Sequence, residues 1–258
     1  MKIQYLKRPR APALAYVYTP PRHYLAGEKL SLLWPVMFLG GYRSDMTGTK
    51  ASFLEQQCMA RGQAFLRFDY SGHGASEGDF NEGTIGQWSS DALAVFDAVI
   101  TGPCVLVGSS MGGWMALLLA RARPDLIKGV IGIAAVPDFT EELYGRMNAD
   151  AQRVFSETGF YNIPSDDSAE PYHFTRTFYT EAKAHLLLSG RHPIHHPLHL
   201  LQGKQDRAVP WRTAEKIAAC FEGPATQITY IEDGDHRLSR PQDLEVLDSI
   251  VRSICAYT

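Results

Sequence analysis

Apolar and polar positions follow two rhythms along this chain, and the switches between them predict its elements. Leu14-Ala15-Tyr16-Val17-Tyr18 reads as a first strand, and Leu33 to Leu39 as a second. Lys50 to Arg61 has helical spacing and stops at Gly62. Ala64-Phe65-Leu66-Arg67-Phe68-Asp69 is strand again, and Thr84 is a helix N-cap for apolar spacing that runs to about Val99. Cys104-Val105-Leu106-Val107 predicts a strand, Gly113 to Arg121 a helix, and Lys128 to Ala135 another strand. His199 to Gly203 and Thr226 to Ile231 read as later strands, with helices from Trp211 to Cys220 and from Pro241 to Ala256. Strands alternating with helices argue for an α/β chain with a doubly wound, mainly parallel sheet.

One stretch breaks the rhythm. Between Asp138 and Pro197 no strand pattern stands out, but helical spacing accompanies an aromatic cluster of Phe160, Tyr161, Tyr172, Phe174, Phe178 and Tyr179. A length of 258 residues suits one α/β domain carrying an insertion and is short for two full domains. The expected division is a core of residues 1–137 and 198–258 around an insertion at 138–197.

Composition narrows the function. Hydrophobic residues make up 45% and charged residues 21%, ordinary values for a globular enzyme. The net charge of −3 without a long charge block argues against a nucleic-acid surface. No apolar run reaches the length of a membrane span. Lys2, Lys7, Arg8 and Arg10 make the start basic, but no serine precedes Ser31, and Pro12 to Tyr18 is too short for a secretory core. Cys58, Cys104, Cys220 and Cys255 lack any C-x-x-C pairing, which points to free thiols in a reducing compartment. A cytoplasmic location is the expectation from these features, and oligomeric state is left open.

Gly108-Ser109-Ser110-Met111-Gly112 carries the chemistry. It lies between a strand and a helix, the context that a Gly-x-Ser-x-Gly nucleophile elbow needs. Glycines on either side let the backbone reverse and pack closely, holding Ser110 at the tip of the turn. A serine hydroxyl becomes a useful nucleophile when an imidazole removes its proton and a carboxylate fixes that imidazole. Asp206 follows the strand His199 to Gly203, and His236 follows the strand Thr226 to Ile231. Ligand-handling groups collect at such carboxyl ends of strands. Ser110 is therefore the candidate nucleophile, His236 the base and then acid, and Asp206 the orienter. Asp138, after the strand Lys128 to Ala135, is a rival acid, and Asp235 beside His236 reads as a turn residue. The backbone N–H groups of Met111 and of Tyr42, which follows Gly40-Gly41, are the candidate oxyanion hole.

Other residues favour plainer readings. His192, His195, His196 and His199 invite a metal, yet no Cys or carboxylate joins them at ligand spacing. His73 reads as a loop residue, and Asp69 as a carboxylate that bonds the backbone of its own turn.

Three segments resemble a known superfamily. Phe68-Asp69-Tyr70-Ser71-Gly72-His73-Gly74, Val107 to Trp114, and Gly203-Lys204-Gln205-Asp206 ending in Val209-Pro210-Trp211 are similar to α/β-hydrolases. Gly41 to Met46 and Asp235-His236-Arg237 resemble, more narrowly, its mitochondrial palmitoyl-protein thioesterase and acyl-glucuronide esterase branch. The resemblance runs from about Phe38 and is weakest at 138–197, where such enzymes insert lids. It implies hydrolysis of acyl esters or thioesters by Ser110, Asp206 and His236, on small-molecule or acylated-protein substrates, with no metal and no organic cofactor. Two alternatives stay open: a hydrolase of the same fold acting on lactones or carbon–carbon bonds, and a non-catalytic ligand receptor.

Overall fold

The computed structural model describes residues 2–22, 33–163, 171–223 and 225–256. The chain opens with β1 (Gln4–Arg8) and β2 (Ala11–Thr19), then β3 (Val36–Leu39), α1 (Thr49–Ala60), β4 (Phe65–Phe68) and α2 (Ile85–Val99). Next come β5 (Cys104–Ser109), α3 (Met111–Ala122) and β6 (Ile127–Ile133). α4 (Phe139–Gly145), α5 (Ala149–Thr158), β7 (Phe160–Ile163), β8 (Tyr172–Thr175), α6 (Arg176–Ala182) and β9 (His192–Pro193) follow. The chain returns through β10 (Leu198–Gly203), α7 (Thr213–Cys220), β11 (Phe221–Glu222), β12 (Thr226–Ile231) and α8 (Pro241–Cys255).

The main sheet runs β1-β2-β4-β3-β5-β6-β10-β12. β1 and β2 pair antiparallel, as do β2 and β4, and every later neighbour is parallel. The period-2 alternation of side chains sends Met37, Leu39, Cys104 and Leu106 into one core layer under α2 and α3. Val36, Phe38, Val105 and Val107 enter the opposite layer under α1 and α8. Central strands buried on both faces account for the apolar runs in the sequence. Thr84 caps α2 as expected, its hydroxyl accepting from the Gln87 N–H at 3.1 Å.

Two expectations about strands need correction. β1 went unread because Gln4-Tyr5-Leu6-Lys7-Arg8 is an edge strand, exposed or half-buried along its length, and so lacks an apolar run. The region 138–197 does contain strands: β7 and β8 form an antiparallel hairpin, and β9 pairs with β11. Strands of four and two residues are too short to display a period. Residues 164–170 of that region lie outside the described residues.

Buried carboxylates fasten the loops at the sheet edge. Asp69, buried after β4, accepts from the Met46 N–H at 2.6 Å and the Ala75 N–H at 2.8 Å. It thereby joins the loops that follow β3 and β4. Asp91, on α2 and fully buried, pairs with Arg8 at 2.7 Å and accepts from the Ser71 N–H and hydroxyl at 2.8 and 2.6 Å. Leaving such a carboxylate without its cation would strand a buried charge, at a cost of roughly 3–5 kcal/mol.

The tightest backbone approach lies between α3 and the loop after β3. A methyl group on Gly112 would collide with the carbonyl oxygen of Leu39, whereas one on Gly102 would meet nothing within 4 Å. Gly112→Ala should therefore lower stability by roughly 1–3 kcal/mol through overpacking, and Gly102→Ala by less than about 0.5 kcal/mol. Thermal melting of the two variants side by side checks this, and equal melting temperatures would contradict the close approach.

Candidate active site

Ser110 stands between β5 and α3 with φ 55° and ψ −120°, a left-handed conformation that a serine adopts only when its surroundings impose it. Its N–H donates to the Ile133 carbonyl at 2.8 Å, and its own carbonyl accepts from Gly113 at 2.9 Å. Gly108 and Gly112 make the turn feasible, since a methyl on Gly108 would strike the backbone of Gly112. The side chain of Ser110 is thus presented at the N-terminal end of α3, on the carboxyl edge of the sheet.

Asp206 and His236 arrive from the loops after β10 and β12. His236 Nε2 lies 3.2 Å from Ser110 Oγ, and its Nδ1 lies 2.8 Å from Asp206 Oδ2. Asp206 is held from several sides. Its Oδ1 accepts from the Ala208 and Val209 N–H groups at 2.9 and 2.7 Å, and Oδ2 also accepts from Gln202 Nε2 at 3.0 Å. The Asp206 side chain is fully buried, while that of His236 keeps 20% exposure. A carboxylate accepts and cannot donate, so Nδ1 carries the imidazole proton and Nε2 is left to accept from the Ser110 hydroxyl.

The two rival acids point elsewhere. Asp138 turns its carboxylate to the Leu187 and Leu188 N–H groups, at 2.8 and 2.7 Å, and ties that segment to the loop after β6. Burial pushes its pKa up, and the two backbone donors work against that shift. Asp235 accepts from the Leu238 N–H at 3.0 Å, the turn role expected of it.

Met111 is the first residue of α3, so its N–H is among the donors that no intrahelical carbonyl can accept. The Gly40-Gly41-Tyr42 loop lies against the same spot: a methyl on Gly41 would stand 3.3 Å from Ser110 Cβ. The Tyr42 ring packs edge-on against Phe80, Trp88 and Phe139, with centroids 4.9 to 5.9 Å apart, which fixes the loop.

A cavity of about 600 Å³ opens at Ser110 and His236. Its apolar lining is built by Met111, Val136, Phe139, Leu143, Phe174 and Phe178. Its polar lining includes Lys50, Arg207 and Arg237 beside Asp45, Thr49 and Ser239. Lys50 was not singled out from the sequence. It donates to the Arg237 carbonyl and lies 3.4 Å from the Ser239 hydroxyl, and burial pushes its pKa down to about 8. Gln202 was also missed. Its only sequence signal was its place near the end of a predicted strand.

Among the histidines that invite a metal, three meet other groups, His196 Nδ1 lying 3.2 Å from the Pro197 carbonyl. His192 Nε2 meets the Leu187 carbonyl at 2.8 Å, and His199 Nε2 meets the Thr229 hydroxyl at 2.8 Å. No three metal-ligating side chains gather among the described residues. His73 is buried in a box of Tyr70, Phe80 and Trp88, away from the cavity lining. Cys58, Cys104 and Cys255 are buried free thiols, and Cys220 is a half-buried one.

Comparison with known proteins agrees with this architecture. Residues 36–247 match the alpha/beta hydrolase family. The human mitochondrial palmitoyl-protein thioesterase ABHD10 is 35% identical over 247 residues, covering 95% of this chain and 77% of the relative. Among solved structures, a putative hydrolase from Agrobacterium vitis S4 superimposes with a TM-score of 0.90 at 36% identity, covering 98% of each chain. Mouse alpha/beta hydrolase domain-containing protein 10 gives 0.89 at 32% identity, also covering 98% of each.

These relatives overturn the cytoplasmic expectation, since the rat, mouse, orangutan, human and bovine proteins are all mitochondrial by name. Import receptors read an address, whereas net charge and cysteine content describe the folded domain and carry no such address. Fold, sequence match and structural neighbours converge, and the chain belongs to the alpha/beta hydrolase family, as a hydrolase with thioesterase relatives.

Proposed function

We propose that this hydrolase cleaves acyl esters or thioesters through a covalent acyl-serine intermediate. The observation that carries the reading is the unbroken hydrogen-bond sequence from Ser110 through His236 to Asp206 at the mouth of a half-apolar cavity. In this reading His236 takes the Ser110 proton as Oγ attacks the acyl carbon. The tetrahedral oxyanion accepts from the Met111 and Tyr42 N–H groups, each worth roughly 3 kcal/mol in such sites. His236 then gives its proton to the leaving oxygen or sulfur, and water attacks the acyl-serine by the same route in reverse. The carboxylate of Asp206 holds the tautomer and stabilises the imidazolium throughout.

Residues 138–197 act as a lid in this reading, with 1–137 and 198–258 as the core. Phe139 and Leu143 of α4, Phe174 of β8 and Phe178 of α6 come from that insertion and wall the cavity. They would enclose the acyl chain, and acyl-protein thioesters join small esters as candidate substrates because the relatives are named palmitoyl-protein thioesterases.

Ser110→Ala should lower kcat by roughly 10⁶-fold while leaving the fold intact, because the hydroxyl acts in chemistry and not in packing. Esterase assays with circular dichroism, together with loss of fluorophosphonate labelling, check this. A folded variant keeping more than about a tenth of the activity would refute the nucleophile assignment.

Asp206→Asn should cost about 10⁴-fold in kcat through the wrong imidazole tautomer. Asp138→Asn should cost far less, because its carboxylate serves backbone amides. Reversed magnitudes would move the acid to the loop after β6.

Chain length probes the apolar lining. Each buried methylene should add up to about 0.8 kcal/mol of binding until the space is filled. kcat/KM for p-nitrophenyl esters should climb from acetyl to a longer optimum and then level off. A steady fall from acetyl onward would mean a short-chain carboxylesterase.

A further inference from the structure

The serine-hydrolase reading leaves the basic residues of the cavity without a role. Lys50, at the start of α1, reaches the loop that carries His236 and donates to the Arg237 carbonyl, with the Ser239 hydroxyl at 3.4 Å. An ammonium has three N–H donors, so at least one remains for the cavity it lines. No carboxylate pairs with Lys50 among the described residues. Arg207 and Arg237 directly follow Asp206 and His236, line the same cavity and are exposed. Neither guanidinium meets a carboxylate among the described residues. The other cations of the lining are engaged: Arg43 bonds the Pro171 carbonyl and lies over the Phe80 ring, and Arg146 pairs with Glu142.

The side on which these charges sit follows from the chemistry. The group that departs must lie beside His236 Nε2, because it takes the proton that His236 removed from Ser110. Arg207 and Arg237 sit on the Asp206 and His236 loops, and Lys50, from α1, is hydrogen-bonded to the His236 loop. They therefore flank the leaving group, while the apolar lining flanks the acyl chain. None of the three is in an ion pair among the described residues, although Asp235 and Asp243 act on Lys50 from farther off and Asp45 also lines the cavity, and together they exceed what one carboxylate neutralises. A phosphate, with two charges and several acceptor oxygens, suits an ammonium and two guanidinium forks.

We propose that Lys50, Arg207 and Arg237 form a phosphate subsite on the leaving-group side of Ser110, and that the preferred substrates are acyl thioesters of a phosphate-bearing thiol. This rests on the serine-hydrolase reading. In the step itself, the bond between the acyl carbon and sulfur breaks as the acyl-serine ester forms. The departing sulfur takes the proton from His236, and the phosphate stays intact, serving only as a handle.

The test compares octanoyl-4′-phosphopantetheine with octanoyl-pantetheine, the same thioester with and without phosphate, on the purified full chain. At low salt kcat/KM should favour the phosphorylated thioester by at least about tenfold, the scale of one charge-assisted hydrogen bond. Added salt should shrink that ratio. The double variant Arg207→Gln/Arg237→Gln should shrink it several-fold, and Lys50→Gln should act in the same direction. The exposed arginine pair keeps the test valid if Lys50→Gln fails to fold.

A wild-type ratio near one, with both thioesters hydrolysed, would overturn the subsite and leave the serine-hydrolase reading standing. A large ratio that the arginine variant does not change would overturn the assignment to these residues. A ratio near one alongside a strong preference for a glucuronate over its methyl ester as leaving group would make the ligand a carboxylate. Failure on both thioesters with p-nitrophenyl esters still cleaved would also overturn the proposal. Failure on all of these, without fluorophosphonate labelling, would instead defeat the underlying reading.

Discussion

Close backbone contact at one crossing sets the geometry of everything around Ser110. β5 must give way to α3 within a single residue, and α3 must start directly beside the carbonyls that end β3. Side chains cannot occupy that crossing: methyl groups on Gly108, Gly112 or Gly113 would strike the Gly112 backbone, the Leu39 carbonyl or the Ala135 side chain. Dense interiors tolerate no such overlap. The residue left at the tip is forced to positive φ, and the Ser110 N–H and carbonyl are pinned to Ile133, Gly113 and Val136. Strain of this kind costs on the order of 1–3 kcal/mol and persists only where the surroundings over-determine it. Here three glycines and a central parallel sheet do so, and they bring the Met111 N–H and the Gly41-Tyr42 loop to the same hydroxyl.

Carboxylates near the sheet edge show how environment, not residue type, decides a role. Asp69, Asp138 and Asp206 all follow strands, and all accept two or more backbone N–H groups. Asp69 spends both oxygens on Met46 and Ala75, and Asp138 spends both on Leu187 and Leu188, so each fastens one loop to another. Asp206 differs in one respect. Ala208 and Val209 occupy Oδ1, which leaves Oδ2 for Gln202 and His236. Fixing one oxygen to the backbone orients the other, and that division lets a buried carboxylate align an imidazole.

The alternation of strands and helices was legible because a parallel sheet buried on both faces leaves continuous apolar runs, as in β3, β5 and β6. That Ser110, Asp206 and His236 come together was legible for a related reason. Each lies in the turn or loop after a strand, and strand ends on one edge of a parallel sheet converge in space. β1 and β7 were hidden because they are exposed or half-buried along their length, and β7 and β8 because four-residue strands show no clear period. Gln202 and Lys50 were hidden for different reasons. Gln202 meets Asp206 only four residues on, but a glutamine at a strand end carries no distinguishing signal. The Lys50 contact joins residues that only the fold brings together, reaching across to the Arg237 carbonyl. Sequence spacing along one element carries no trace of such a pairing.

Lys50 also bears on why the cavity lining is mixed. A half-buried ammonium answered by a carbonyl and a hydroxyl rather than a carboxylate is a poor choice for stability alone, and its lowered pKa reflects that cost. A hydrocarbon chain of similar length could fill the same volume beside α1 without desolvating a charge. Local conflicts of this sort collect at functional sites, where recognition outweighs packing. The apolar lining has no such conflict, since Phe139, Phe174 and Phe178 continue the apolar core into the cavity. In the proposed reading Ser110 lies between an apolar lining and a set of cations. An acyl bond spanning the two would place its apolar half and its polar half each in a matching environment, with the scissile carbon at the junction.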